Sequence, residues 1–361
     1  MNEPRTVLVA MSGGVDSSVA AALLVEQGYR VVGLTMKTFC YAGTPGPTRA
    51  CCGLEGIQDA RRVAQRLGIP HYVVDVEKDF TRDVIDDFVQ EYAAGRTPNP
   101  CVRCNGFTKF RDLLRRGRAF GAEAIATGHY ARIARDPDGR VYLRRAVDAA
   151  KDQTYFLWML PRALLPALLF PLGDLTKAEV RQMAASRGLP TAQKPESQEI
   201  CFVPDGDYRG FLRQRLGDDH PALAPGPLVT RTGAVVGQHT GFAGYTVGQR
   251  RGLGAHGRRL YVLEVRPQSR EVVVGEAEEL LCRGLVVGEL NWHLPPPAEG
   301  SWVEVQTRHR APAVPAQVER ISDDELHLRF AQPQRTVAPG QSAAIYREEA
   351  LLGGGRIRRS V

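Results

Sequence analysis

The chain has 361 residues, 43% hydrophobic and 24% charged, ordinary proportions for a soluble globular protein and enough length for two or three domains. No run approaches eighteen consecutive apolar residues, which excludes a membrane-spanning helix, and no basic-then-apolar leader precedes the first apolar run, so a cytoplasmic location is expected. The net charge is +7, and seven cysteines, an odd number, suit functional thiols in a reducing compartment better than a disulfide framework.

Val7 to Met11 is an apolar run that predicts a buried strand. Ser12-Gly13-Gly14 follows as a turn of small residues, and Asp16-Ser17-Ser18 opens a helix over 19–27 closed by Gly28. Two glycines at such a turn let the backbone approach a ligand closely, and the helix behind them offers unpaired N–H groups and a positive dipole end. With hydroxyls at Ser12, Ser17 and Ser18 the stretch reads as an anion cradle, most simply for a phosphate chain. It lacks the lysine of a Walker loop and the spaced glycines of a dinucleotide fingerprint. The motif Ser-Gly-Gly-Val-Asp-Ser resembles the PP-loop of ATP pyrophosphatases, which adenylate a carbonyl-type oxygen and release pyrophosphate. The plainer alternative is a strand-to-helix turn with a good cap.

Strand and helix then alternate: strands over 29–36, 71–76 and 122–127, helices over 57–67, 84–93 and 108–118. This rhythm predicts a doubly wound parallel sheet, whose ligands lie beyond the carboxyl ends of the strands. Met36 and Gly128 fall at such ends, where adenine or ribose contacts are expected. Residues 156–188 are Leu/Ala-rich and read as helical. From about 205, glycine and proline become frequent, and after Pro267 come alternating runs (271–274, 302–307, 316–321, 326–330, 342–346), with Asp323-Asp324 as a hairpin turn. These predict a small β-barrel of the kind used as a nucleic-acid-binding accessory. The expected division is 1–204 for an α/β, Rossmann-like PP-loop domain, 205–275 for a small central β-rich domain, and 276–361 for a C-terminal β-barrel.

Charge is uneven. Residues 101–145 hold eleven Lys/Arg against four acids, a surplus as large as that of the whole chain. Such a patch suits a polyanion, most simply nucleic acid, although a solvated helix face gives the same composition. In Asn99-Pro100-Cys101-Val102-Arg103-Cys104-Asn105, Arg103 and the following helix start would favour thiolates. Cys201 is a third candidate. Cys104 and Cys201 could pass a sulfur atom as nucleophiles. Cys101, Cys104 and Cys201 are one ligand short of a structural zinc site, and three thiolates could hold an iron–sulfur cluster. Burial without chemistry is the preferred reading for Cys282, and the roles of Cys40, Cys51 and Cys52 stay open.

The PP-loop, Thr35-Met-Lys37, Gly95-Arg-Thr-Pro-Asn-Pro100, Cys104-Asn105, Ala126-Thr-Gly-His-Tyr130, Lys151-Asp-Gln-Thr-Tyr-Phe156, Gln198-Glu-Ile-Cys-Phe202, Thr246-Val-Gly-Gln-Arg-Arg-Gly-Leu-Gly254 and Pro339-Gly-Gln-Ser342 resemble, in order and over nearly the whole chain, the bacterial tRNA-specific 2-thiouridylase family. That resemblance implies an ATP-dependent sulfurtransferase acting at carbon 2 of the wobble uridine in tRNAs for Lys, Glu and Gln. It implies ATP contacts from Ala10, Met11, Ser12, Gly13, Gly14, Val15, Asp16, Ser17, Met36 and Gly128, with Mg²⁺ as counter-ion. Cys104 is then the nucleophile, and Cys201 carries the persulfide and closes a transient disulfide with Cys104. Asn99, Pro100 and Cys101 lie against the target base, and His129, Lys151, Asp152, Gln153, Arg308, His309 and Gln341 touch tRNA. A persulfide sulfur-donor protein is the implied partner. Many members carry Asp where this chain has Cys101, and that Asp is proposed as a general acid/base. The class-level alternatives are a PP-loop synthetase or amidotransferase acting on a small molecule, and a non-catalytic RNA-binding or sulfur-carrier module.

Overall fold

A computed structural model describes residues 4–38, 54–195, 200–203, 205–335 and 337–361. Cys40, Cys51, Cys52 and the Gln198-Glu199 part of the cysteine motif lie outside the described residues. The chain divides into two compact units, each discontinuous in sequence: residues 1–84, 101–206 and 349–351 form one, and 85–100, 207–348 and 352–361 the other.

The first unit is built on a five-stranded parallel sheet. Its strands are β1 (Thr6–Ala10), β2 (Arg30–Lys37), β3 (His71–Asp75), β4 (Ala124–Ala126) and β7 (Leu168–Leu169), in the order β3-β2-β1-β4-β7. The same unit holds the hairpin β5 (Arg132–Arg135) and β6 (Val141–Arg144), whose β6 pairs antiparallel with Ala350 and Leu351. Val7, Leu8 and Val9 are fully buried because β1 is the middle strand, paired in register with β2 on one side and β4 on the other. The order reverses there, which is where doubly wound sheets open a ligand crevice. Helix α1 (Val15–Glu26) follows β1 and is apolar on nearly every side, as a helix enclosed by others must be. Helix α2 (Leu54–Leu67) buries Ile57, Ala60, Val63 and Ala64 and turns its arginines outward. Helix α3 (Phe110–Ala119) buries Phe110, Leu113 and Gly117, so the basic stretch shows its arginines on an outer face.

Two expectations change here. Residues 156–188 are not a helical block. Proline at 161, 166 and 171 restricts the segment to a 3₁₀ stretch over Arg162–Ala167 and the two-residue β7, and a regular helix, α4 (Lys177–Ser186), forms only after the last proline. The helices expected over 84–93 and 108–118 are each preceded by a π-helical turn, Thr81–Ile85 and Cys104–Lys109.

In the second unit, helix α5 (Tyr208–Leu216) is capped by the Asp207 carboxylate, which accepts from Gly210 N at 2.9 Å. A four-stranded sheet follows, formed by β8 (Gly226–Val229), β9 (Val235–His239), β10 (Tyr261–Arg266) and β11 (Glu271–Gly275) in the order β10-β11-β8-β9. The strands β12 (Cys282–Trp292), β13 (Trp302–Gln306), β14 (Val314–Ile321), β15 (Leu326–Gln334), β16 (Ser342–Arg347) and β17 (Ala350–Ser360) pair in the order β12-β15-β14-β13-β16-β17. Pairing of β12 with β17 closes the ring, which gives the expected barrel. Alternate residues such as Val303, Val305, Val318, Leu328 and Ile345 fill it. Ion pairs tie its last strand to the helix Asp86–Ala93: Arg356 meets Asp87 at 2.9 Å and Glu91 at 3.0 Å, all three side chains being mostly buried.

Candidate active site

The turn after β1 takes its shape from glycine. Gly13 has φ +72°, and a Cβ there would lie 2.1 Å from the carbonyl oxygen of Gly56 on α2. Helix α1 begins at Val15 with Gly14 as N-cap and no side-chain cap bond, so the sequence expectation of a start at Asp16 moves by one residue. Ser12 N donates to Ser17 Oγ at 3.2 Å, the two hydroxyls lie 3.3 Å apart, and Ser17 Oγ donates to Gly14 O at 3.1 Å. Ser18 is no cradle donor: it is fully buried, donates to Gly14 O at 2.8 Å and accepts from Thr191 at 2.9 Å. Uncapped N–H groups in the first turn and two adjacent hydroxyls make a concave donor surface suited to phosphate oxygens.

Gly128, just after β4, closes the other side. A Cβ on it would come within 2.6 Å of Ser17 N, so only glycine allows the β4 end to touch the PP-loop. Met36 is buried near the end of β2. Thr35 beside it donates to Met11 O at 2.6 Å, and its hydroxyl oxygen lies 2.8 Å from His71 Nε2. Gly128 thus lies against the run 10–17, within which Met11 and Val15 are buried in the core while Ser12 and Asp16 stay partly exposed.

The loop itself contains no cation, but a lysine reaches it from elsewhere. Lys177 Nζ lies 2.7 and 2.8 Å from the two carboxylate oxygens of Asp16, and Tyr130 OH donates to Asp16 Oδ1 at 2.9 Å. Reading the motif as a cradle without any lysine missed this residue. Thr176-Lys177-Ala178-Glu179 is the signal that could have placed it, since Thr-x-x-Glu is a capping box and fixes a helix start.

Cys101 sits exposed on the helical turn Pro100–Arg103, and Cys104, partly buried, opens the π-helical turn. That wide turn is held by Asn105 Nδ2 donating to Phe156 O at 3.1 Å and by Gly106, where Met159 occupies the space of a Cβ. Arg103 donates to Asp83 O at 3.2 Å and lies 4.2 Å from the Phe107 ring. The segment Glu77–Phe80 packs on the Cys104 turn, and Phe80 also meets Phe202, beside Cys201, edge to face at 5.8 Å. The segment Glu77–Phe80 is therefore a common neighbour of the turn bearing Cys104 and of the residue beside Cys201. Among the described residues, no group of three or more His, Cys, Asp or Glu side chains is arranged to hold a metal ion. Cys101, Cys104 and Cys201 do not form such a group with one another. Cys282 donates to Gln334 O at 3.4 Å, and burial raises its thiol to about 11.

His129 is half-buried against Phe110 and Phe170, with Nδ1 2.7 Å from Thr127 Oγ1. Burial first, and Lys109 second, hold its pKa well below the ordinary histidine value. Asp152 points inward: it accepts from Ala146 N at 2.9 Å and Thr154 at 2.6 Å and pairs with Arg145 at 3.2 Å. Gln153 uses its carbonyl on Tyr130 N at 2.9 Å, and Lys151 is partly exposed. In the second unit, Arg308 and His309 sit on the loop after β13, and Gln341 precedes β16.

A parallel sheet with a glycine cradle at its switch point defines a HUP-type, PP-loop protein, a fold that implies ATP binding. The model described as the tRNA methyl transferase HUP domain matches residues 5–205, the corresponding PRC-barrel domain 209–276, and an aminomethyltransferase beta-barrel domain 282–357. The chain is 49% identical over 368 residues to the tRNA-specific 2-thiouridylase MnmA of Carboxydothermus hydrogenoformans, covering 98% of each. It is 48% identical over 365 residues to that of Geotalea uraniireducens, covering 100% of this chain and 96% of the relative. The chain belongs to the tRNA-specific 2-thiouridylase family.

Proposed function

We propose that this protein is an ATP-dependent tRNA-uridine 2-sulfurtransferase acting at the wobble position of tRNAs for Lys, Glu and Gln. The observation that carries this is the cradle and the two cysteine-bearing turns lying within one unit of a chain 49% identical end to end with such enzymes. Phosphates of ATP rest on the N–H groups of the first turn of α1 and on Ser12 and Ser17, with Met36 and Gly128 bordering the nucleoside. Asp16, a partly exposed carboxylate at the mouth, suits Mg²⁺, which takes one or two carboxylates and completes its shell with phosphate and water. When bound, Mg²⁺ supplies neutralisation of phosphate charge.

The uridine leaves the anticodon stack at a cost of about a few kcal/mol, and Asn99, Pro100 and Cys101 receive it. Its O2 attacks the α-phosphorus and pyrophosphate departs, which turns O2 into an AMP leaving group. The terminal sulfur of a Cys201 persulfide, loaded by a sulfur-donor protein, attacks C2 and AMP leaves. Cys104 thiolate then attacks Cys201 Sγ; the sulfur–sulfur bond breaks, sulfur stays on C2, and a Cys104–Cys201 disulfide forms. An external thiol reduces it. In the alternative order, Cys104 attacks first and the sulfur leaves as hydrosulfide before reaching C2. Arginines between 103 and 145, with His129, Lys151, Arg308 and His309, hold phosphates and flanking nucleotides, an affinity that falls steeply with salt. Along the chain, residues 1–204 carry the chemistry and 205–275 and 276–361 the accessory surfaces. The setting is cytoplasmic, where tRNA and reductant are found.

The test is pyrophosphate release from ATP with and without unmodified tRNA, and nucleoside mass spectrometry after a persulfide donor is added. Release that depends on tRNA, with 2-thiouridine as product, is expected. Release without RNA would point to a small-molecule synthetase, and no release to a binding module.

A further inference from the structure

The pairing of Lys177 with Asp16 brings together residues 161 positions apart. The backbone at Lys177 is fixed three ways. It is the first residue of α4, whose capping box joins Thr176 N to Glu179 Oε2 at 2.7 Å and Glu179 N to Thr176 Oγ1 at 3.3 Å. Its own N–H donates to Asp148 Oδ2 at 2.9 Å. Val180 and Ala184 of α4 lie in the same buried core as the apolar residues of α1. From this anchor the lysine arm runs largely buried, 11% exposed, past the Tyr130 ring to the carboxylate, which is 31% exposed. Of the two partners the carboxylate is therefore the more accessible, and it sits in the first turn of α1.

The place of the carboxylate matters more than the pairing itself. Asp16 stands in the first turn of a helix that has no side-chain cap, beside Ser12 and Ser17. A negative group there occupies ground that the helix end favours for any anion, phosphate included. Residues 10–18 contain no Lys or Arg, so a polyphosphate in this cradle would meet donors but no cation from the loop. A lysine ammonium on a flexible stem anchored at a rigid helix start can exchange one anionic partner for another without moving the backbone.

We propose that Lys177 is the phosphate-binding cation of the cradle, held on Asp16 until a nucleotide arrives. The ammonium then passes to the phosphate oxygens, and Asp16 turns to the divalent cation that accompanies them. This rests on the ATP-using reading above and adds to it a residue outside the PP-loop.

Two measurements test it. Wild-type protein is treated with an acyl-phosphate derivative of ATP, which transfers its acyl group to a lysine amine near the terminal phosphate, and the labelled lysine is found by mass spectrometry. Acylation of Lys177, suppressed by ATP and by pyrophosphate, is expected; labelling of another lysine in its place overturns the proposal. In calorimetry, Lys177→Gln is expected to weaken ATP and pyrophosphate binding by about tenfold or more, the value of one charge-assisted hydrogen bond. Adenosine binding is unchanged, and Lys177→Arg recovers part of the loss. Wild-type ATP affinity in Lys177→Gln, or equal loss of ATP and adenosine, overturns it. A wild-type protein that binds no ATP and takes no label defeats the ATP reading itself, a different outcome from either.

Discussion

Gln341 holds the chain at Pro98: its side-chain amide donates to the carbonyl of Pro98 at 3.1 Å and to that of Thr97 at 3.0 Å. Thr97 N returns a bond to Pro339 O at 2.8 Å, and its hydroxyl donates to Thr246 at 2.9 Å. Gly340, at φ +90°, lets the two segments touch, since a Cβ there would lie 2.8 Å from Thr97 N. Three motifs far apart in sequence thus form one clamp directly before Asn99. Gln341→Leu removes a donor from each carbonyl, and a stability loss of about 1–3 kcal/mol is expected. Thiouridine formation should fall while ATP affinity stays at the wild-type value. Urea unfolding, nucleoside analysis and calorimetry check the three parts.

Gly13 and Gly14 look alike in the motif and should answer differently to a methyl group. Gly13 is at φ +72° with the Gly56 carbonyl in the way, so Gly13→Ala combines backbone strain of about 1–3 kcal/mol with displacement of α2. Gly14 is extended at φ −96°, and its nearest neighbour would be Ser12 Oγ at 3.5 Å. Gly14→Ala should keep the wild-type melting temperature, whereas Gly13→Ala should lower it and abolish ATP binding. Equal melting temperatures would contradict this account of the turn.

The strands of the parallel sheet and most of the barrel were legible because buried strands are apolar runs and half-buried ones alternate; β1 and β13 fall within a residue of the expected ends. The helix over Tyr208–Leu216 was missed, since Gly210 and three arginines hide its period, although Asp207 marks its cap. The PP-loop is a local motif and shows itself in six residues. Lys177 is not local: its role exists only because α4 packs beside α1, and spacing along the chain carries no trace of that. The inward-turned Asp152 is hidden for the same reason, being defined by Ala146, Arg145 and Thr154.

Cys104→Ser and Cys201→Ser should each abolish 2-thiouridine while leaving tRNA binding intact, because neither thiol is needed for phosphate contacts. Cys282→Ser should keep activity, since that thiol bonds a strand carbonyl and is held protonated by burial. Gel-shift titration and nucleoside analysis of the three variants separate relay from structure. Retained thiolation by either of the first two would remove the relay.

Two histidines should make the fold sensitive to acid. Thr35 donates its hydroxyl proton to Met11 O at 2.6 Å, so His71 Nε2, 2.8 Å away, must be the protonated nitrogen that donates to Thr35. His71 Nδ1 is then a buried lone pair with no hydrogen-bond partner, and a second proton would sit where nothing accepts it. Burial lowers the pKa of His71, with Arg61 adding to it, and burial lowers that of His129 further. Both groups are neutral in the folded and unfolded chain above about pH 6.5, the ordinary histidine value. Below it the unfolded chain binds protons that the folded chain refuses. Stability is therefore complete above that pH and is lost as pH falls toward the depressed folded values, with a slope of up to about 1.4 kcal/mol per pH unit for each histidine. Urea midpoints between pH 7.5 and 5.5 should show this fall. His71→Asn with His129→Asn should flatten it while lowering stability at pH 7.5; an unchanged slope in that variant would place the acid sensitivity in other groups.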